Sequence, residues 1–267
     1  MTDDRRIELE VEVPGTPEEV WRAIATGPGI SSWYVPHTVE ERAGGAASAS
    51  FGEGPEMQIA GRVAAWEPPR RIVFDGGEGV GGLAFEWLVE ARDGGTCVVR
   101  LVNSGFGSGA DWDSQYDGMT EGWKLFLLNL QLHLRHFSGQ SAVAMLPMAM
   151  WPRSKADSMA RLTSMLGLTT TPTVGDRIDT SGQTDVPLLA GRVVDADSWR
   201  LAIVLEQPAP GTAIVACEGP GGVEDRTGVS VWSYLYGPDA ASIVERDRPR
   251  WQRWLDDGSD GEARTET

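Results

Sequence analysis

The chain has 267 residues, 41% of them hydrophobic, which suits one large domain or two ordinary ones with real cores. Its 23 Lys+Arg against 39 Asp+Glu leave a formal net charge of −16, and an acidic surface repels phosphate backbones, which disfavours a nucleic-acid partner. No stretch reaches the ~18 apolar residues of a membrane span and Met1-Thr2-Asp3-Asp4 lacks the plan of a secretory signal, so the expectation is a cytoplasmic protein with no membrane partner.

Ile7, Leu9, Val11 and Val13 alternate with polar residues, the pattern of a half-buried strand. Thr16 then caps a helix, with Pro17 in its first position and Glu19 completing a capping box. Val20, Trp21 and Ile24 form its inner face, and Gly27-Pro28-Gly29 is read as its stop. Residues 30–36 suit a short second helix or a turn. Strands are expected near 37–43, 46–52, 56–66, 70–75, 83–91 and 96–104, with a tight hairpin at Asp93-Gly94-Gly95 that demands antiparallel pairing. The period then changes. Met119, Trp123, Phe126, Leu127, Leu130, Leu134 and Phe137 share one stripe of a helix over 114–137, about 35 Å long. Leu125, Leu128 and Leu132 make its back apolar too. One side is expected against its own sheet and the other against a second domain, so that the two domains pack on each other.

In the second half, 142–151 reads as a strand that Pro147 confines to an edge or a bulge. Ser154 caps a helix carrying Met159, Leu162 and Leu166. Strands follow near 174–180, 187–195, 199–207, 212–218 and 228–236. A closing helix begins at Pro238 and carries Ile243, Val244, Trp251, Trp254 and Leu255. Pro249 lies inside it and costs about 3 kcal/mol in an ideal helix, which predicts a kink or break. Residues 258–267 read as a disordered acidic tail.

The two halves repeat one another. Ala60-Gly61-Arg62-Val63 recurs as Ala190-Gly191-Arg192-Val193, each followed by an arginine, Arg70 or Arg200, and an apolar run. The helix opening at Thr16 has a counterpart at Ser154. Gly95-Thr96-Cys97-Val98-Val99 is matched to Gly211-Thr212-Ala213-Ile214-Val215, an alignment that makes the second meander shorter by about a dozen residues. The reading is a first domain over 1–139 with a ligand cavity and a second, degenerate domain over 140–257.

The order strand, helix, short helix, antiparallel meander and long helix describes a curved sheet gripping a helix, with a cavity at one end. The segment 16–24, Trp33-Tyr34, Gly61-Arg62-Val63, Pro68-Pro69-Arg70-Arg71-Ile72-Val73-Phe74, Trp87 and the 118–123 helix opening together resemble the helix-grip (START / Bet v 1-like, SRPBCC) superfamily. The branch is the one similar to the C-terminal domain of the activator of Hsp90 ATPase. The resemblance implies two tandem α+β helix-grip domains, each a curved antiparallel sheet around a long C-terminal helix. Members of the superfamily mostly bind lipids, polyketides and other hydrophobic small molecules. Some are cyclases or aromatases, some are cochaperones, and certain actinomycete members confer self-resistance to enediyne antibiotics. No invariant catalytic set exists to carry over.

Met57, Trp66, Phe85, Trp87, Trp112, Met119 and Trp123 are the candidate ligand-binding residues, since one strand parity and the helix stripe point several of them between sheet and helix. Trp199, Trp232, Trp251 and Trp254 are their counterparts in the second copy, where a smaller or collapsed pocket is expected. Gly77-Glu78-Gly79-Val80-Gly81-Gly82 matches a dinucleotide fingerprint, but a strand follows it instead of a helix, so it is a loop and no cofactor is expected. The glycine-rich loop 105–110 reads as a lid, an entrance or a loose connector. His133 and His136 stand at a metal-compatible spacing without a companion ligand and are read as helix C-terminal groups, with no metal expected. Cys97 and Cys217 read as buried free thiols. His37 begins a strand beside Pro36 and could face the cavity mouth, though an exposed turn histidine is the favoured reading, and Asp113 reads as a helix cap.

An apolar, tryptophan-rich set with no convergent catalytic triad favours a non-catalytic protein that binds a hydrophobic molecule, and the resemblance implies a polyketide- or enediyne-like one held for self-resistance or carriage. An enzyme of cyclase or hydrolase type would draw on Asp111, Asp113, His37 or Tyr116. An Hsp90-activator-like interaction module is the third reading, less favoured because no additional N-terminal domain is expected.

Overall fold

The computed structural model describes residues 5–52, 54–77, 82–107, 110–218 and 226–259, with side-chain surroundings left aside for 110, 111, 114 and 115. Of the expected 258–267 acidic tail, Gly258 and Ser259 instead close the last helix, and the rest, with much of the 77–82 glycine loop, part of the 105–110 loop and the Asp111 side chain, lies outside the described residues. The chain divides into two compact units, Met1–Ser141 and Ala142–Thr267.

The first unit runs β1 (Ile7–Pro14), α1 (Pro17–Ala25), α2 (Gly27–Ser31), β2 (His37–Val39), β3 (Ala46–Ser50), β4 (Gln58–Glu67), β5 (Arg71–Asp75), β6 (Ala84–Arg92), β7 (Thr96–Ser104) and α3 (Ala110–Phe137). Its sheet has the order β1-β7-β6-β5-β4-β3-β2, antiparallel throughout. The capping box at Thr16 is formed: its hydroxyl accepts from the Glu19 amide at 3.3 Å, and the Thr16 amide donates to Glu19 Oε2 at 2.8 Å. Gly27-Pro28-Gly29 does more than end α1. Thr26 accepts from the Gly29 amide and starts α2 at once.

Helix α3 begins four residues earlier than its apolar stripe suggests. Asp113 is thus inside its first turn and pairs with Arg5, whose guanidinium also lies 4.4 Å from the Tyr116 ring centre. Two hydrogen bonds lace α3 along the edge strand β1: Tyr116 Oη donates to the Arg6 carbonyl at 3.1 Å, and Gln131 Nε2 to the Glu12 carbonyl at 2.9 Å. The spans agree, since fifteen helical residues cover about 22 Å and six extended residues about 20 Å. The helix thereby covers an edge that would otherwise be open to pairing.

The second unit runs β8 (Val143–Met145), β9 (Met148–Trp151), α4 (Lys155–Met165), β10 (Arg177–Asp179), β11 (Ala190–Ala196), β12 (Arg200–Gln207), β13 (Gly211–Glu218), β14 (Thr227–Leu235) and α5 (Ala240–Ser259). Its sheet has the order β10-β11-β12-β13-β14-β8, with β9 also on β14. Pro147 splits the expected first strand in two, and both pieces stay on β14. Pro249 does not break α5, which runs as one helix from Ala240 to Ser259. The buried Asp247, Trp251, Trp254 and Leu255 anchor the turns on both sides of it, so packing outweighs the propensity cost.

The tandem architecture explains the Ala-Gly-Arg-Val repeat. In β4 the register shifts between Val63 and Ala65, and in β11 between Val193 and Asp195, a β-bulge at the same point of both copies. Val63 exchanges backbone hydrogen bonds with Gly44 and Gly45, and Val193 does so with Gly175 and Asp176, all at 2.8–2.9 Å. A Cβ on Gly61 would stand 2.7 Å from the Asp75 carbonyl oxygen, and one on Gly191 would stand 2.2 Å from that of Val204. Glycine is needed there because the neighbouring backbone presses in.

The third block of the repeat is not equivalent. Gly95-Thr96 opens β7, which pairs with β1 and leads into α3, whereas Gly211-Thr212 opens β13, one strand earlier in its sheet. The true counterpart of β7 is β14. The meander is therefore not shortened there; the second unit instead lacks a counterpart of α2 and β2 between α4 and β10. Its interior is a continuous apolar cluster that includes Trp151, Trp251 and Trp254. Trp199 is not part of it: its ring lies between Lys155 and Arg200, at 4.3 and 5.0 Å. Both cysteines are buried and free. No helix among the described residues is long and apolar enough to cross a membrane.

Candidate functional site

A cavity of about 110 Å³ lies inside the first unit. Half of its wall comes from the stretch between α1 and β4: Ile30 from α2, Trp33 and Tyr34 from the turn after it, His37 from β2, Ala49 from β3 and Phe51 just beyond. The sheet adds Ile59, Phe74, Phe85 and Trp87, and the helices add Ile24 and Trp123. Phe74 and Phe85 are direct cross-strand partners, which brings both rings to one face. Ile59 is 59% exposed and marks the rim.

Tyr34 is the hub. Its ring meets Trp123 at 5.0 Å, Phe126 at 4.3 Å, His37 at 5.4 Å and Phe51 at 6.0 Å between centroids. Trp87 stands edge-on to both Trp33 and Trp123 at 5.5 Å, and Phe85 meets Trp123 at 5.6 Å. Such edge-to-face arrangements add to area burial and keep the wall rigid. Two hydrogen bonds fix the turn bearing these rings. Trp33 Nε1 donates to the Ala23 carbonyl at 2.9 Å, and Asn129 of α3 donates to the Trp33 carbonyl at 2.9 Å.

Among the described residues, the lining includes no Asp, Glu, Lys or Arg. Its titratable groups are Tyr34 and His37. Burial raises the Tyr34 phenol well above its ordinary value. Burial lowers the His37 imidazole, against the opposing effect of its hydrogen bond to the Val35 carbonyl. Both are neutral at pH 7.

Of the seven candidate residues, Phe85, Trp87 and Trp123 meet on this wall. The other four lie elsewhere. Trp66 faces inward but sits under α1, edge-on to Trp21 at 5.0 Å. The bulge after Val63 puts Val63 and Trp66 on the same inner face although their parity differs, so Trp66 points inward as expected but at α1 and not at the cavity. Met57 lies in the turn between β3 and β4, beside Gly52. Trp112 is in the first turn of α3 against Gly107 and Phe106. Met119 lies one turn before Trp123 and outside the lining.

His37 is a wall residue and not an exposed turn histidine. His133 is no C-terminal cap: it is 3% exposed and burial lowers it to about 4, while Arg135 and His136 occupy the last turn. Asp113 and Tyr116 are engaged with Arg5 and the Arg6 carbonyl, away from the lining. Among the described residues no group of three or more His, Cys, Asp or Glu is placed to hold a metal. The rings missed from sequence as lining are Trp33, Tyr34, Phe51 and Phe74, while His37, named only as a less favoured cavity-mouth or acid/base group, proves to be part of the wall. The available signal was the Trp33-Tyr34 pair followed closely by His37.

Residues 14–135 match the family described as Activator of Hsp90 ATPase homolog 1-like protein. No curated protein matches the chain. Among solved structures, protein MLL2253 from Mesorhizobium loti is 22% identical, covers 49% of this chain and 97% of its own, with a TM-score of 0.42. The di-domain ARO/CYC BexL from the BE-7585A biosynthetic pathway is 15% identical over 98% of this chain and 100% of its own, with a TM-score of 0.44. DynU16, a protein in the dynemicin biosynthetic locus, is 17% identical over 97% of this chain and 99% of its own, with a TM-score of 0.42.

Proposed function

Taking residues 14–135 as an Hsp90-activator-like helix-grip domain, we propose that the first unit binds an uncharged hydrophobic small molecule in its aromatic cavity. The protein acts as a non-catalytic carrier or sequestering protein. The observation that carries this reading is a wall of apolar and aromatic side chains with no formal charge among the described residues. Pockets of this kind bind by burying ligand area and orient it with a few polar groups.

Size constrains the ligand. A dry apolar cavity of about 150 Å³ holds one benzene ring, so this one, near 110 Å³, encloses no more than about one ring. A larger polyketide- or enediyne-like molecule, the class that the superfamily resemblance puts first, would insert one end and leave the rest beyond Ile59. An enzyme reading is less favoured, because Asp113 and Tyr116 are engaged elsewhere and no described carboxylate or cation stands beside His37 in the lining.

Trp33, Trp87 and Trp123 make the cavity self-reporting. Titration of aromatic and polyketide ligands into the full chain should change tryptophan fluorescence saturably. No response across a broad panel would overturn the proposal.

A further inference from the structure

We infer that His37 is the specificity-determining residue of this cavity, and that it selects an uncharged aromatic ligand carrying a hydroxyl donor, accepted by His37 Nε2. The inference rests on the cavity being a binding site.

The argument begins at the backbone. His37 Nδ1 lies 2.7 Å from the Val35 carbonyl oxygen. A carbonyl only accepts, so Nδ1 carries the hydrogen. In a neutral imidazole, Nε2 is then a bare lone pair. The main chain on both sides is held: the His37 amide donates to Ser31 Oγ at 2.9 Å, and Ser31 Oγ donates to the Gly27 carbonyl at 2.7 Å. Val35 is buried. The tautomer is therefore built into the turn.

The second part is what surrounds that lone pair. No hydrogen bond engages Nε2 or the Tyr34 hydroxyl among the described residues, and the Trp33 indole N–H is already used by Ala23. The wall offers an acceptor at His37 and a rotatable hydroxyl at Tyr34, whose ring lies 5.4 Å from the imidazole. A ligand without a donor would leave Nε2 facing hydrocarbon, which costs more than the hydrogen bond itself is worth. A carboxylate would meet a lone pair and no cation.

The test is isothermal titration of the full chain with three matched probes: a naphthol, the methylnaphthalene of the same substitution and the corresponding naphthoate. The naphthol should bind about tenfold tighter than the methyl isostere, although it is the less hydrophobic of the two, and the naphthoate should bind weakest. His37→Phe should cost the naphthol about tenfold and leave the methyl probe within about twofold. His37→Gln, which keeps an acceptor oxygen, should retain part of the preference. A wild-type chain that prefers the methyl probe or the naphthoate overturns the inference while leaving the binding function standing. An unchanged probe ratio in His37→Phe does the same. Should His37→Phe not fold, the wild-type ratio decides alone. If no probe binds the wild type, the binding-site reading falls and this inference with it.

Discussion

The imidazole of His37 is tethered through Nδ1 to the carbonyl oxygen of Val35, two residues back, at 2.7 Å. This local contact sets which edge of the ring is free to meet a ligand. It also explains how an otherwise apolar cavity can have a directional polar feature without a charge. The turn holding it exists only in the first unit, because the second lacks the α2–β2 segment.

Filling the cavity should separate binding from stability. Ala49 lines the wall and is flanked by no charged lining group. Ala49→Leu adds three carbons to empty space, so ligand affinity should fall at least about tenfold while the melting temperature holds or rises. Titration calorimetry and thermal unfolding on the same sample check both halves.

Acid should weaken the fold through His133. Its folded value is about 4 against an ordinary 6.5, so the unfolded state binds the proton more readily. Stability is then fully present above 6.5 and is lost as pH falls toward 4, on the order of 3 kcal/mol in all. Urea unfolding at several pH values should show this slope, and His133→Gln should flatten it in that window.

Two helix glycines should respond in opposite directions. A Cβ on Gly258 in α5 would lie 2.4 Å from the Trp151 ring and 2.9 Å from Met165 Cε. Trp151 is fully buried and its indole N–H is bound to the Leu255 carbonyl at 2.8 Å, so it cannot yield. Gly258→Ala should destabilise by about 1–3 kcal/mol. Gly122 in α3 faces nothing within 4 Å, and Gly122→Ala should stabilise by about 0.5–1 kcal/mol. Denaturant midpoints distinguish the two.

The repeated bulge predicts a graded pair. Gly61→Ala and Gly191→Ala each drive a Cβ against a backbone carbonyl, at 2.7 and 2.2 Å. Both should lose about 2 kcal/mol or more, with Gly191→Ala the worse because its clash is closer. Equal, near-neutral effects in chemical unfolding would show that the strands can part there at little cost.

Most of the element order is legible from the chain alone. Alternation in β1, the capping box at Thr16 and the apolar stripe from Met119 to Phe137 are local signals, and local signals survive any tertiary arrangement. The Ala-Gly-Arg-Val repeat likewise announces the tandem plan. Tertiary structure decided the rest. Pairing with β1 on one side and β14 on the other settled which strands of the two copies correspond, because short glycine-led strands look alike until their neighbours are known. Packing on Trp21 placed Trp66 under α1 and outside the cavity, although it faces inward. The cavity itself depends on convergence: Tyr34 and His37 come from a turn, Phe85 from mid-sheet and Trp123 from a helix about forty residues further on. No periodicity within one element encodes such a meeting, because it arises only when the sheet and the helix close on the turn between them.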